Sequence, residues 1–585
     1  MKVRRASILI LGIASLISLA ISAPAQAGRP LAVVAFSGYS EWRADVGYIG
    51  RISGQPDLAA GLDFLARMVF AQGQDFPGLD KQRPWGAVIQ VDEEKLARGV
   101  NVPEHLLTGY AIVPVTDLDG LLEALQHLIG QPEDVGDGVL RIGRPERPGY
   151  VKQVGSWACV APKPEALASL PADPARAIQG LADQYDLAVQ VNLAAVPEAV
   201  RQKVVEGIRA QGEADLQRRP GEPEEEYLAR RLVGQYFLGI ATGLAKDVEQ
   251  FTVGWSLDHE AGTASIELAV TAMPDTPTAR HFAALGRSTT AFGGFLQPQA
   301  TVCWNVAGTL PEIDSTNLAD AVDAIRSRAL EDFEGQGRPA AEAELGRKLI
   351  NRLLDVVQKT IQTSRFDGGG LMVLKPDALT VAVGGMVADG GPVDQTIRTL
   401  AEAVGRENPA FADRAIRMDA GREGDVTFHT VSLPIPPDAR RRDELVELVG
   451  DELQVVVGVG PKSVYLAAGR DPMETLRRAI QQSASQRSGM VPPVRMTVDV
   501  GALTRFVADV GEPPQRERAA AVAELLEQGE GQDHLRVVAS AIDRGVRFRL
   551  EVEKGILEAV GKAAHQRRQA RRGRPVEAYL ESAAP

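Results

Sequence analysis

The most regular pattern of apolar and polar positions lies between residues 454 and 480, and it predicts a β-hairpin followed by a helix. Apolar residues dominate positions 454–459 and 463–468, on either side of a turn at Gly460-Pro461. The helix is predicted to begin at Asp471-Pro472, where aspartate suits the N-cap and proline the first helical position. The same order of strand, turn, strand and helix recurs along the chain, which indicates an internal duplication.

The pattern divides the chain into two stretches, each with its own series of strands and helices. Before the boundary it predicts hairpins at 138–160 and 251–271 and helices at 58–71, 116–128, 162–170, 197–211 and 227–245. After it, hairpins are predicted at 371–383, 454–468 and 535–552, and helices at 317–332, 340–363, 393–404, 441–449, 502–510 and 518–528. Residues 286–299, rich in Gly, Ser and Thr, form the predicted boundary.

These elements predict an α+β fold made of two related halves, residues 28–290 and 296–570. Each half is expected to be a mainly antiparallel sheet of hairpin-helix units, with helices packed on one face. A hairpin cannot bury its apolar face alone, so each unit must pack against its helix or a neighbouring unit.

Three predicted strands end in a similar short signature that carries one polar residue. Asn192, Asn305 and Asp499 each lie between apolar residues, and two small residues follow shortly after. One interpretation collects these three side chains at one edge of a sheet as a ligand site. The alternative is that they satisfy backbone donors at strand ends and cap the next helix.

The N-terminus and the charge balance indicate an exported protein. Residues 1–27 have the basic start, the apolar run and the small-residue cleavage site (Ala25-Gln26-Ala27) of a signal peptide. The run at 8–21 is short for a membrane span, so no stable span is expected after cleavage. Loss of Lys2, Arg4 and Arg5 takes the formal net charge from −13 to −16, which disfavours nucleic acid as a partner.

The last residues, 571–585, are predicted to be a basic, disordered tail. Arg567, Arg568, Arg571, Arg572 and Arg574 precede or begin it. They are interpreted either as a solvated helix end or as a contact for an anionic partner.

Candidate chemistry is sparse. Cys159 and Cys303 permit one disulfide or two buried thiols. The seven histidines have no metal-ligand spacing, so neither a metal site nor a cofactor is predicted. Ser256 and His259 fall short of a nucleophile elbow, because Asp258 stands where glycine is needed.

The sequence therefore favours a non-enzymatic protein of the cell envelope, periplasmic or secreted, that binds an envelope protein, polymer or lipid. A first alternative is a binding protein for an apolar small molecule or lipid, held in a cleft between the two halves. A second is a hydrolase whose catalytic residues meet only in the fold.

Overall fold

A computed structural model describes residues 30–70, 75–91, 107–168, 170–196, 198–222, 224–310, 312–335, 339–486, 489–527 and 531–572. The predicted signal peptide lies outside these residues. The last helix continues to Arg572, so the first two residues of the predicted tail are helical, and the rest of the tail lies outside the described part. Within this part, no helix combines the length and the apolar content needed to cross a membrane.

The described chain contains twenty β-strands. They are β1 (Ala32–Phe36), β2 (Trp85–Val91), β3 (Leu107–Pro114), β4 (Glu133–Gly136), β5 (Val139–Arg144), β6 (Arg147–Val154), β7 (Trp157–Ala161), β8 (Leu187–Asn192), β9 (Val248–Asp258), β10 (Thr263–Ala272), β11 (Val302–Thr309), β12 (Arg365–Lys375), β13 (Ala378–Met386), β14 (Ile416–Glu423), β15 (Val426–Pro434), β16 (Glu452–Gly460), β17 (Ser463–Gly469), β18 (Val494–Asp499), β19 (His534–Ile542) and β20 (Gly545–Glu553).

Sixteen α-helices accompany them in the described residues. They are α1 (Tyr39–Ile52), α2 (Leu58–Phe70), α3 (Leu118–Ile129), α4 (Arg176–Ala182), α5 (Glu198–Asp215), α6 (Glu224–Asp247), α7 (Pro277–Leu285), α8 (Glu312–Glu334), α9 (Ala340–Gln362), α10 (Gly391–Glu407), α11 (Pro409–Ala415), α12 (Arg442–Val449), α13 (Pro472–Ser485), α14 (Val500–Val510), α15 (Pro513–Glu527) and α16 (Lys554–Arg572).

All twenty strands belong to one antiparallel sheet. Following the pairings from one edge gives the order β4-β5-β6-β7-β3-β2-β1-β8-β9-β10, and then β20-β19-β18-β11-β12-β13-β17-β16-β15-β14. Strands β10 and β20 join the two runs over nine residue pairs, from Thr263↔Glu553 to Thr271↔Gly545. The α+β prediction is confirmed in this form, as one large antiparallel sheet with many helices.

The sheet has two faces, which we call face A and face B. Face A carries the side chains of Ala35, Glu267 and Asn305, and face B those of Phe36, Ile266 and Trp304, because successive residues of a strand point to opposite faces. The cross-strand partners extend this assignment to every strand through the pairing registers.

Face A buries two helix-covered cores. Core 1 packs Ala35, Ile112 and Cys159 against Ile178 of α4. Core 2 packs strand residues of the second run against α13 and includes Phe292 and Phe295. The predicted boundary at 286–299 therefore contributes buried side chains to a core.

Helices cover both faces of the sheet, so the prediction that they pack on one face is wrong. On β7, Cys159 lies in core 1, whereas its neighbours Ala158 and Val160 pack under Leu121 and Leu122 of α3. Strand β7 is apolar on both faces and almost buried along its whole length, so each of its faces needs its own cover to remove that surface from water.

Several local details differ from the sequence predictions. The stretch 150–160 is two strands, because Gly155 adopts φ +59° and turns the chain between β6 and β7. Asp471 makes no side-chain cap to α13, since its φ of +52° and ψ of +44° depart from the extended N-cap conformation. Helices α1 and α4 were not predicted.

Candidate ligand-binding site

The central strands carry an apolar surface on face B that forms two adjacent rows of cross-strand neighbours. We call these two rows the apolar band. The first row is Trp85, Phe36, Leu187, Trp255, Ile266, Leu550, Val537, Met496, Trp304, Gly370, Val383 and Leu466. The second is Ala87, Val34, Val189, Val253, Leu268, Phe548, Ala539, Val494, Val306, Gly368, Gly385 and Val464.

The apolar band crosses twelve strands without a polar side chain. At a strand spacing of about 4.8 Å it is about 50 Å long. Ile266, Phe548 and Val253 near its centre are 45%, 42% and 41% exposed. Large side chains of this kind are normally removed from water, so these three residues mark an open apolar surface at the centre of the band.

Helices pack over both ends of the central strands and so limit the width of the band. At one end, Tyr48 and Ile52 of α1 pack with Leu257 and Ala264. At the other, Phe282 of α7 packs beside Val270 and Val546, while Val196 and Val200 at α5 pack with Val191. Ala264 and Val270 are six residues apart on β10, or about 20 Å, so the open part of the band is much narrower than it is long.

Helix α2 adds a further exposed apolar surface next to α1. Phe64, Leu65 and Met68 are all exposed, and α2 packs against α1, which covers one end of the band. The apolar surface available to a ligand thus extends beyond the sheet.

Face A of the same central strands is polar. Glu267 is almost buried there and accepts hydrogen bonds from Tyr185 Oη (2.9 Å) and Arg549 Nη1 (2.9 Å), with Arg547 Nε at 3.4 Å. The ring of Tyr185 packs over Gly254, where an added Cβ would lie 2.3 Å from the ring. Burial, and then the Glu267 carboxylate, raise the pKa of Tyr185.

The three residues of the strand-end signature lie apart. Asn192 ends β8 and Asp499 ends β18, and four strands lie between β8 and β18, so the two side chains are about 20 Å or more apart. Asn305 is buried within β11, where its Nδ2 donates to Thr290 Oγ1 and to the Gly368 carbonyl, both at 2.9 Å. No common site is formed by these three residues.

Asp499 caps a helix, as the alternative interpretation had it. Its Oδ1 accepts the amide proton of Ala502 at 2.7 Å and starts α14. Asn192 makes no side-chain cap to the short 3₁₀ turn that follows it.

Asp499 also belongs to a polar cluster that the sequence did not reveal. Asp499, Asp533 and His534 each offer one ligand atom, and these atoms lie within 4.8 Å of one another. Burial, and then the charge of Asp499, raise the pKa of Asp533. The only sequence signal was an Asp-His pair directly before a strand, far from Asp499 in the chain.

Ser256 and His259 do not form a catalytic pair. The Ser256 hydroxyl lies 2.8 Å from the Ser265 hydroxyl, and His259 Nε2 lies 2.8 Å from Asp45 Oδ1. His259 also stacks on the ring of Tyr48. These contacts give both side chains structural partners, and the hydrolase alternative gains no support from them.

The pKa of Asp45 is strongly raised. Burial, and then the nearby Asp186, raise its pKa to about 6, while the hydrogen bond to His259 opposes this shift. The folded protein therefore binds this proton more tightly than the unfolded chain does, and the contribution of Asp45 to the unfolding free energy falls as the pH rises from about 4 to 6.

Replacing Asp45 by asparagine should remove this pH dependence. We expect the difference in unfolding free energy, wild type minus Asp45→Asn, to fall by about 1–3 kcal/mol between pH 4 and pH 7. Urea denaturation of both proteins at pH 4, 5, 6 and 7 measures it. A difference that stays constant over this range would refute the assignment.

Cys159 and Cys303 are both free and buried, so in the structure they are two separate thiols and not a disulfide. Cys159 lies in core 1 and Cys303 in core 2. Burial raises the pKa of Cys159 to about 11 and also raises that of Cys303, which keeps both thiols protonated at neutral pH.

Comparison with known proteins gives no relative. No family model matches the chain, and neither a curated protein nor a solved structure matches it. The function therefore has to be argued from the residues.

Proposed function

We propose that this protein binds a lipid through a linear acyl chain laid along the apolar band. The observation that carries the proposal is the run of two apolar rows across twelve strands, with Ile266, Val253 and Phe548 open to solvent. Covering such a surface gains roughly 25 cal/mol for each Å² of apolar area removed from water.

The shape of the band favours an acyl chain over a folded partner. The band is about 50 Å long, although α7 covers it at Ala539 and Val494 and the α9–α10 region packs beside Val464, and the helices at both strand ends restrict its width to well under about 20 Å. A globular domain needs a broad contact area for stable association, but a linear chain needs only a long and narrow one. The exposed face of α2, beside one end of the band, offers a second apolar contact for such a ligand.

The chemistry of the band also argues against polar ligands and catalysis. Its members are aliphatic, aromatic or glycine, and the charged residues directly beside its centre, such as Glu267 and Arg549, lie on face A. Apart from the indole N–H groups of Trp85, Trp255 and Trp304, this surface offers a sugar polymer or a charged peptide no side-chain hydrogen-bond partner.

Lipid retention and uptake test the proposal. The mature chain, purified without detergent, is expected to carry adducts of lipid mass in native mass spectrometry. After delipidation it should bind a fluorescent fatty-acid probe in a saturable manner. Absence of both adducts and probe binding would overturn the proposal, and a dimer that excludes the probe would assign the band to a second copy of the chain.

We also propose that the chain consists of two related halves, one with β1–β10 and the other with β11–β20. The order β4-β5-β6-β7-β3-β2-β1-β8-β9-β10 becomes the order of the second run when ten is added to each number. Helix pairs follow β1 and β11, and again β8 and β18. This agreement over ten strands supports duplication more strongly than the strand-end signature does.

In this relationship the apolar band spans both halves. The pairing of β10 with β20 places Glu267 opposite Arg549, and these two residues hold equivalent positions in the two strands. The pseudo-two-fold axis therefore passes through the Glu267–Arg549 pair. The ligand surface arises from joining the halves edge to edge, in place of a cleft between separate domains.

We propose further that the protein acts outside the cytoplasm, in the periplasm or after secretion. The support is the signal-like segment at 1–27. The mature protein is expected to begin at Gly28, which N-terminal sequencing of the exported protein determines. An uncut chain beginning at Met1 in the membrane fraction would contradict this prediction.

A further inference from the structure

A group of metal-ligating side chains lies on face A where β18 and β19 reach one end of the sheet. Asp499 and His534 are direct cross-strand neighbours, and Asp533 precedes His534. Their ligand atoms lie within 4.8 Å of one another. Glu553 Oε2 lies 3.1 Å from His534 Nδ1, so a third carboxylate lies next to the group and would be a fourth ligand.

Asp533 is a buried carboxylate that lies close to a second one, Asp499. The residue is only 5% exposed, and the only hydrogen bond to its carboxylate within the described part of the chain comes from its own backbone amide. Two cationic groups are near it, His534, whose Nδ1 lies 3.6 Å away, and the guanidinium of Arg505. A buried carboxylate that faces a second carboxylate is costly, and a bound cation between them would offset this cost.

Gly501 makes room for the Asp533 carboxylate beside the first turn of α14. A Cβ at position 501 would lie 1.9 Å from Asp533 Oδ2. The cap from Asp499 Oδ1 to Ala502 fixes the other carboxylate at the same turn. Both carboxylates are thus held in place before any ligand binds.

The other half of the chain offers an internal comparison, which rests on the proposed duplication. The cross-strand pair equivalent to Asp499↔His534 is Asn192↔Gln250, two neutral amides. The acid before Gln250, Glu249, is paired with Arg544 at 2.6 Å. Only the second half therefore combines an imidazole with carboxylates at this position among the described residues.

We propose that Asp499, Asp533 and His534 bind a divalent transition-metal ion such as Zn²⁺. Carboxylate oxygens and one imidazole nitrogen are common zinc ligands, whereas calcium and magnesium sites use oxygen ligands alone. The ion would join the N-terminus of α14 to the start of β19 and so stabilise this end of the sheet.

Zinc titration of the full mature chain tests the site. The protein is prepared without an affinity tag, treated with EDTA and desalted, and ZnCl₂ is added during isothermal titration calorimetry. We expect one equivalent to bind, with affinity reduced by about 100-fold or more in Asp533→Asn and in His534→Ala. We also expect zinc to raise the Tm of the wild type by a few degrees and to leave that of Asp533→Asn unchanged.

Gln250→Ala serves as the matched control, because it changes the equivalent position of the other half and should bind zinc like the wild type. Asp533→Asn is isosteric, and its Tm without zinc reports whether it folds. No zinc uptake by the wild type, or wild-type affinity in both variants, would overturn the proposal. Selective binding of Ca²⁺ would also overturn it. Zinc uptake is measured without lipid, so its outcome is independent of the apolar ligand.

Discussion

Replacing Ile266 by glutamate is expected to weaken binding of a fatty-acid probe by at least about tenfold. Ile266 lies in the first row of the apolar band, next to Trp255 and Leu550, and it is 45% exposed. An acyl chain laid along the band would have to desolvate the new carboxylate without a partner, which costs more than the roughly 1.4 kcal/mol that corresponds to a tenfold loss. The fold should tolerate the change, because the side chain is open to solvent.

Titration of the delipidated proteins with the probe measures this effect, and circular dichroism checks the fold. Val135→Glu is the matched control, since Val135 is equally exposed but lies on the edge strand β4, remote from the band. Equal probe affinity in Ile266→Glu and the wild type would exclude the band as the binding surface. An equal loss in both variants would assign the effect to surface charge.

Replacing Glu267 by alanine is expected to destabilise the protein by about 2–4 kcal/mol. The carboxylate is almost buried at the junction of β10 and β20, where it accepts hydrogen bonds from Tyr185 and Arg549. Its removal leaves the buried Tyr185 hydroxyl without its acceptor and two arginines without their counter-charge. The arginines are half-exposed, so water takes over part of their solvation and limits the effect.

Urea denaturation at neutral pH measures the change in unfolding free energy. Glu133→Ala is the control, because it removes an ion pair with Arg141 in which both side chains are exposed, and it should change stability by less than about 0.5 kcal/mol. If Glu267→Ala is no more destabilising than this control, the contacts of Glu267 with Tyr185 and Arg549 do not hold the two runs of strands together. A loss of probe binding in Glu267→Ala without loss of stability would point to the same conclusion.

Sequence patterns predicted local elements well because their causes are local. Hairpins such as β16–β17 and β19–β20 follow from alternating apolar residues around a short turn, and the helix after β17 follows from Pro472 and the apolar spacing behind it. Helix α1 was missed because it carries Gly47 and Gly50, which favour other conformations. A Cβ at position 50 would lie 2.6 Å from the Gln55 carbonyl oxygen, so the turn that follows α1 requires glycine there.

The polar signature was misleading for a physical reason. Asparagine and aspartate at strand ends are typical both of ligand sites and of caps, and only the neighbouring backbone distinguishes the two roles. Asp499 caps α14, whereas Asn305 is locked in the interior of β11 by Thr290 and Gly368. Neither contact can be read from residues that are close in sequence.

By itself the sequence determined the types of element, the antiparallel hairpins and the alternation that makes one face of the central strands apolar, because these depend on neighbouring residues. Only the tertiary structure decided which strands lie side by side, and so which apolar residues form a continuous band. It likewise brought Asp499 next to His534, from which it is separated by two helices in the chain. Contacts between strands far apart in sequence depend on the packing of the whole sheet, and no local pattern specifies them.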